Sequence, residues 1–173
     1  CYKRELIEKN LVVDMVFKPK ELPLYISDSL FDKLMELNWL DDQYKNAFSF
    51  YRDTGCRRSE PFLGELHGDW LLIGGDKTKQ RMDKELSLSH TNLERITEMR
   101  AFLESYKGTL DSWIGNLSKT FLKAMREVDG QDTKYHLHCL RHTFAVRRYL
   151  QTRDIYLVTV SYTHLRAHET RSY

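Results

Sequence analysis

The segment that decides the fold runs from His136 to Tyr149 and reads H-L-H-C-L-R-H-T-F-A-V-R-R-Y. Its apolar residues recur at the spacings of one helical face, and they are Leu137, Leu140, Phe144 and Ala145. His138 and Arg141 are three positions apart, so a helix would project them from neighbouring positions. A guanidinium can hold two phosphate oxygens in a fork, and an imidazole can move a proton near neutral pH. The segment therefore predicts a helix that carries a site for a phosphate diester.

The composition is that of a folded domain with a core of its own. The chain has 173 residues, of which 41% are hydrophobic and 30% are charged. Its net charge of +2 neither requires nor excludes nucleic acid, because a basic patch can lie on a nearly neutral chain. Cys1, Cys56 and Cys139 lack metal-type spacing, which predicts reduced thiols in a cytoplasmic protein. The sequence has no signal peptide and no apolar run of about 20 residues, so no membrane partner is expected.

Apolar periodicity predicts four further helices and two strands. The helices run from Ser27 or Ser29 to Leu37, from Asp41 or Asp42 to Gly55, from 92 to 106 and from 110 to 128. Trp70 to Ile73 predicts a strand, Gly74-Gly75-Asp76 predicts a turn, and Met82 to Leu88 predicts the returning strand of a hairpin. The expected fold is mainly α with a small antiparallel hairpin or sheet, in the α+β class.

Two motifs together resemble a known family. The pattern H-x-L-R-H-T-F-A, at His138 to Ala145, resembles the second signature box of the tyrosine recombinases, the phage-integrase family. Thr54 to Glu60 reads T-G-C-R-R-S-E and resembles the first box, T-G-x-R-x-x-E. The glycine allows a sharp turn, and we expect the arginine that follows at a helix start, where the dipole favours an anion.

The resemblance implies roles for these residues. Arg57 and Arg141 correspond to the catalytic arginines, and His138 would assist proton transfer. Arg58 would contact DNA, and Glu60 would hold an arginine in place. The implied fold is that of the family's catalytic domain.

The family also carries a lysine at the hairpin, where this chain reads G-D-K-T-K-Q-R from Gly75 to Arg81. Lys77 is the match and Lys79 is the alternative. An ammonium on a flexible stem could protonate the leaving 5′ oxygen. Lys79 and Arg81 are also predicted DNA contacts.

A zinc site is a rival interpretation of the histidine-rich segment. His138 and His142 have a spacing that can bind one ion, with His136 and Cys139 beside them. The sequence lacks a glutamate after the first histidine and a distant ligand pair, so we predict no metal. His142 is expected to be a supporting or core histidine.

The end of the chain matches the family in spacing but not in its surrounding sequence. The resemblance implies a further histidine or tryptophan and then a tyrosine nucleophile. His164 lies 23 residues past Arg141, and Tyr173 lies nine past His164, as the family spacing requires. However, Val160 to Thr170 can be encoded by a transposase-type adapter used in DNA sequencing libraries. We therefore interpret residues 160–173 as an adapter-derived tail, and expect this chain to be truncated and inactive.

The resemblance implies DNA integration or recombination by transesterification through a 3′-phosphotyrosyl intermediate, with neither metal nor other cofactor. Residues 1–24 would be the end of an N-terminal DNA-binding domain plus a linker, and residues 25–159 an incomplete catalytic domain. Double-stranded DNA is the expected partner, bound by a homotetramer. The alternative is a DNA-binding remnant that does not cut, and a zinc-dependent hydrolase is the less favoured third reading.

Overall fold

The computed structural model describes residues 24–77 and 83–154. Their helices are α1 (Asp28–Met35), α2 (Asp42–Thr54), α3 (Glu60–Leu63), α4 (His90–Ser105), α5 (Leu110–Asp129) and α6 (Cys139–Thr152). Three strands, β1 (Glu65–His67), β2 (Trp70–Ile73) and β3 (Lys84–Ser87), form an antiparallel sheet in the order β1-β2-β3. The predicted class, mainly α with a small antiparallel sheet, is confirmed. None of the described helices is both long and apolar enough to cross a membrane.

Short polar residues and glycine set the helix ends. The Ser27 hydroxyl accepts a hydrogen bond from the Leu30 N–H, which satisfies a free donor in the first turn of α1. Ser89 caps α4 in the same way through the Asn92 N–H. Gly55 ends α2 with a φ of 63°, a left-handed conformation that glycine adopts at little cost. The predicted start of α1 at Ser27 and end of α2 at Gly55 are therefore confirmed.

Helix α2 lies at the centre of the core and packs against α4, α5 and α6. Its Phe48 ring meets Phe121 of α5 edge-on, with 5.0 Å between ring centroids. Phe48, Phe121 and Trp113 are buried almost completely, and burial of each such side chain contributes about 1.5–3 kcal/mol. These rings join α2 to α5, while α6 packs on α2 through other contacts, and the end of α2 leads directly into the first signature motif.

The sheet differs from the predicted hairpin by one strand. Strand β1 pairs with β2 through Glu65–Leu72, Leu66–Leu71 and His67–Trp70. Its three residues are too few to show an alternating pattern, so tertiary pairing decides its conformation. The returning strand β3 covers Lys84–Ser87, so Asp83 and Leu88 of the predicted strand lie outside it, while Met82 lies outside the described residues.

Helix α6 begins later than the predicted signature helix, because His136 to His138 lie in a turn before Cys139. Leu137 and Leu140 are buried as expected, whereas Phe144 and Ala145 are only half-buried. Thr143 is buried in their place. Its hydroxyl accepts from the Ile26 N–H at 2.8 Å and donates to the Cys139 carbonyl at 2.8 Å. A polar residue with both bonds satisfied can lie in the core, which apolar periodicity alone does not predict.

Candidate active site

The two signature motifs meet where the loop after α2 packs against α6. Arg141 is 4% exposed, and its guanidinium donates a hydrogen bond to the Gly55 carbonyl. The Phe144 ring lies over Gly55 so closely that a Cβ there would be 2.8 Å from Phe144 Cγ. Two segments that are more than 80 residues apart in the chain are thus held together by one polar and one packing contact.

Arg57 is held by Glu60, as the motif predicts. Its backbone N–H donates to Glu60 Oε2 at 2.7 Å, and its Nη1 donates to Oε1 at 3.4 Å. The Glu60 side chain is 2% exposed, while that of Arg57 is 27% exposed. The carboxylate therefore anchors the backbone of Arg57 and leaves part of its guanidinium open to a ligand.

The predicted helix start at Arg57 is wrong, because α3 begins three residues later, at Glu60. Pro61 lies in the first turn of α3. Proline is tolerated there and disrupts a helix interior, so a helix that started at Arg57 would be broken by it. Arg57 lies in the turn before α3. Its guanidinium would therefore attract an anion by its own charge, without the added dipole of a helix that begins at this residue.

Lys84 is a member of this cluster that neither motif contains. Its ammonium lies 2.6 Å from Glu60 Oε2 and 3.7 Å from Cys56 Sγ, and its side chain is 1% exposed. A weak signal was present in the sequence. Lys84, Leu86 and Leu88 recur at spacings of two, which predicts that all three side chains face the same way.

His138 is the residue immediately before α6, and its ring lies 4.9 Å from the His142 ring between centroids. Although His138 is exposed, partial desolvation lowers its pKa to about 4, and the charges of His142, Arg141, His136 and Arg58 add to that effect. Desolvation, followed by His136 and Arg141, also lowers the pKa of His142. His138 is therefore neutral at pH 7, and the positive field that discourages its protonation attracts an anion.

Arg58 and Cys56, the other residues of this loop, also contact buried or neighbouring side chains. The Tyr51 hydroxyl donates to the Arg58 carbonyl at 2.7 Å, and burial raises the pKa of Tyr51 well above its ordinary value. The exposed Arg58 side chain reaches Ser118 of α5, with 3.4 Å between Nη1 and Oγ. Burial also raises the pKa of the Cys56 thiol, despite a lowering effect of Lys84. Cys56 is thus a protonated structural thiol at neutral pH.

The structure does not bring Lys77 to the arginines. Lys77 ends a short 3-10 turn, Gly75–Lys77, and its ammonium lies 3.9 Å from the Glu65 carboxylate, with 38% of the side chain exposed. No described contact joins it to Arg57 or Arg141. Lys79 and Arg81, together with His164 and Tyr173, lie outside the described residues, so their predicted roles and the choice between Lys77 and Lys79 stay predictions.

The histidine-rich segment does not form a recognisable metal site in the described part of the chain. Within residues 24–77 and 83–154, no group of three or more His, Cys, Asp or Glu side chains is placed to hold one ion. His136 Nδ1 lies 3.3 Å from Cys139 Sγ, and the His136 and His138 rings are 6.4 Å apart between centroids. Cys56 and Cys139 are both buried free thiols.

Solved structures match this arrangement of helices and strands. XerH site-specific recombinase, in a post-cleavage complex with a palindromic difH substrate, matches with a TM-score of 0.59 and 18% identity over 84% of this chain. XerA recombinase matches with a TM-score of 0.57 and 18% identity over 85% of this chain. The chain has the fold of the tyrosine recombinases. No protein-family model and no curated protein matches the sequence.

The matches cover most of this chain but only part of the matched proteins. The chain spans 48% of the matched XerH chain and 62% of the matched XerA chain. XerH in a pre-cleavage complex with difH matches over 85% of this chain at 16% identity, with a TM-score of 0.57. The expected fold class is therefore confirmed, while the roles of individual residues stay predictions.

Proposed function

We propose that this protein is a tyrosine-type site-specific recombinase that exchanges DNA strands by transesterification without a metal ion or other cofactor. The observation that carries the proposal is the anchoring of Arg57 and Arg141 by buried partners where the two motifs meet, in this fold. Partial desolvation, with smaller effects of His142 and Arg141, lowers the pKa of His138 to about 4 and keeps its ring neutral. Two fixed guanidinium groups and a proton acceptor are what a phosphate diester requires when no metal ion takes part.

The proposed reaction balances without an external energy source. A tyrosine oxygen attacks the scissile phosphorus, the P–O5′ bond breaks, and the phosphate becomes linked to the tyrosine at its 3′ side. A 5′-hydroxyl from another strand then attacks that phosphotyrosyl bond and releases the tyrosine. Arg57 and Arg141 would neutralise the two non-bridging oxygens, and His138 would accept the proton of the nucleophile.

Several residues outside the anchored cluster complete the proposal. Lys77, or Lys79 as the alternative, would protonate the leaving 5′ oxygen. If residues 160–173 are native, His164 would add a hydrogen bond to the phosphate and Tyr173, at the family spacing, would be the nucleophile. If they are an adapter-derived tail, the nucleophile belongs to the full-length gene product. Residues 25–159 would form the catalytic domain, with residues 1–24 as the end of a DNA-clamping domain and 160–173 as a foreign tail.

Double-stranded DNA is the proposed partner. The XerH structures that share the fold are complexes with difH substrates. In this chain, Arg58 is exposed beside the anchored loop, and with Lys79 and Arg81 it would contact the DNA backbone. We propose a tetramer on DNA, because the exchange of two duplexes requires four cleaved strands.

The decisive test is Arg141→Lys in the full-length gene product. Lysine keeps the charge but loses the fork that can hold both Gly55 and a phosphate, so cleavage of a suicide DNA substrate should fall by about 100-fold or more. Arg148→Lys, at an exposed position on the same helix, is the matched control and should cleave normally. Normal cleavage by Arg141→Lys, in a protein that melts like wild type, would refute the assignment.

A DNA-binding protein that does not cut is the second candidate, since the positive charges of Arg58 and Arg141 near His138 suit phosphate whether or not a nucleophile is present. Denaturing gels separate the two candidates. A covalent protein–DNA adduct that maps to a tyrosine supports the recombinase. Retention of DNA in native gels, with no adduct on any nicked substrate, supports binding alone.

A further inference from the structure

The buried ion pair between Lys84 and Glu60 is unusual for its position. Lys84 opens β3 opposite Ile73 of β2, and Ile73 is 1% exposed. An apolar side chain would suit this place, and replacing a buried ion pair with apolar residues is often neutral or stabilising. The pair is therefore poorly explained by stability alone, which directs attention to what its geometry does for its neighbours.

Glu60 joins Lys84 to Arg57. Its Oε2 accepts from the Lys84 ammonium at 2.6 Å and from the Arg57 backbone N–H at 2.7 Å. Its Oε1 is 3.4 Å from Arg57 Nη1, a long contact compared with the 2.7–2.9 Å of a tight charged pair. The lysine thus occupies the oxygen that could otherwise draw the Arg57 guanidinium into a closed, two-pronged salt bridge.

The charges of the three groups also indicate that Lys84 acts on Arg57 through Glu60. Two cations and one anion, Arg57, Lys84 and Glu60, leave a formal net charge of +1. Without Lys84, the carboxylate would offset the charge of Arg57, and the pair would attract a phosphate only weakly. Because Lys84 is 1% exposed, it is too deeply buried to contact DNA itself and must act through Glu60.

We propose that Lys84 is a positioning residue for Arg57: by holding and neutralising Glu60, it keeps the Arg57 guanidinium open and positively charged for a DNA phosphate. The inference rests on the proposed function in naming DNA phosphate as the ligand of Arg57. The contacts among the three residues stand independently of it.

The test uses the chain as it is and a fluorescently labelled random-sequence DNA duplex. Lys84→Met should weaken binding by about tenfold, since one unit charge close to a phosphate is lost at low effective dielectric constant. Lys84→Met/Glu60→Gln restores the net charge of +1 and should bind like wild type, although it carries one substitution more. Lys107→Met, at an exposed position in the α4–α5 loop, is the matched control and should change nothing measurable.

A spectroscopic readout separates positioning from general stabilisation. The Nε–Hε signal of Arg57, assigned by its absence in Arg57→Lys, should shift in Lys84→Met as the guanidinium closes on Glu60. It should return towards its wild-type position in the double variant. Loss of fold stability alone would not reproduce this reversal.

Two results would overturn the proposal. One is a folded Lys84→Met protein with wild-type affinity and an unchanged Arg57 signal. The other is a double variant that binds as weakly as the single one. If Lys84→Met does not fold, two other variants decide. The double variant should bind DNA like wild type, and Glu60→Gln should bind it more tightly than wild type. Weaker binding than wild type by either variant contradicts the inference.

Failure of the proposed function would look different. If Arg57→Lys in the full-length gene product leaves DNA cleavage intact, Arg57 has no role in catalysis. The Arg57 signal in Lys84→Met still judges the positioning contact on its own.

Discussion

Gly55→Ala tests the contact that brings the two signature motifs together. Gly55 has a φ of 63°, and a Cβ at this position would lie 2.8 Å from Phe144 Cγ and 3.1 Å from Cε1. The substitution therefore adds two separate penalties. One is the strain of a left-handed alanine, and the other is the clash with a ring on α6.

Both penalties can be estimated from the structure. A non-glycine residue in the left-handed region costs about 1–2 kcal/mol. The methyl group must also displace the half-buried Phe144 ring, and overpacking of this kind costs about 1–3 kcal/mol. The free energy of unfolding should fall by about 2–5 kcal/mol, which at this size lowers Tm by about 4–20 °C.

Gly68→Ala is the matched control, because Gly68 has a φ of 60° and nothing lies within 4 Å of the added Cβ. It carries the backbone strain alone and should cost about 1–2 kcal/mol. Urea melts of both variants, followed by circular dichroism, give the difference directly. If Gly55→Ala loses no more stability than Gly68→Ala, the Phe144 ring does not lie over Gly55 and the junction between the motifs is misplaced.

Three further outcomes are expected. Acid should destabilise the wild type more than His138→Gln: the pKa of His138 in the fold, about 4, lies below the ordinary 6.5, so the unfolded chain binds more protons between these values. The contribution of neutral His138 to the free energy of unfolding is complete above about pH 6.5 and is lost as the pH falls towards 4. If the urea midpoints of the two proteins change equally from pH 7 to 4, the pKa of His138 is not lowered in the fold. Leu140→Asp should abolish the cooperative melt, because Leu140 is 0% exposed and an unpaired buried charge is severely destabilising. Leu150→Asp, at a position of the same helix that is 54% exposed, is the control and should melt like wild type. Finally, EDTA should leave DNA cleavage by the full-length protein unchanged, since arginines take the place of metal ions in the proposed chemistry; activity that disappears with EDTA and returns with zinc or magnesium would favour a metal-dependent hydrolase.

The sequence by itself determined most of the helices. Long amphipathic repeats predicted α2, α4 and α5 nearly to their ends, because each buries a continuous face, and Gly55 marked the end of α2. Short motifs also predicted Arg57, Arg141 and His138 as site residues, and their catalytic roles stay predictions. Such features depend on residues close together in the chain, so a local pattern contains them.

Only the tertiary structure decided how the site is held. The contact between Glu60 and Lys84 joins residues that are 24 positions apart, and the contact between Gly55 and Arg141 joins residues that are 86 apart. No local sequence pattern predicts either contact. The three residues of β1 form a strand because they pair with β2. Thr143 can be buried because its hydroxyl accepts a hydrogen bond from the Ile26 N–H. Burial of a charge or a hydroxyl is tolerated only when a distant partner satisfies it, so its place in the core is fixed by the folded chain as a whole.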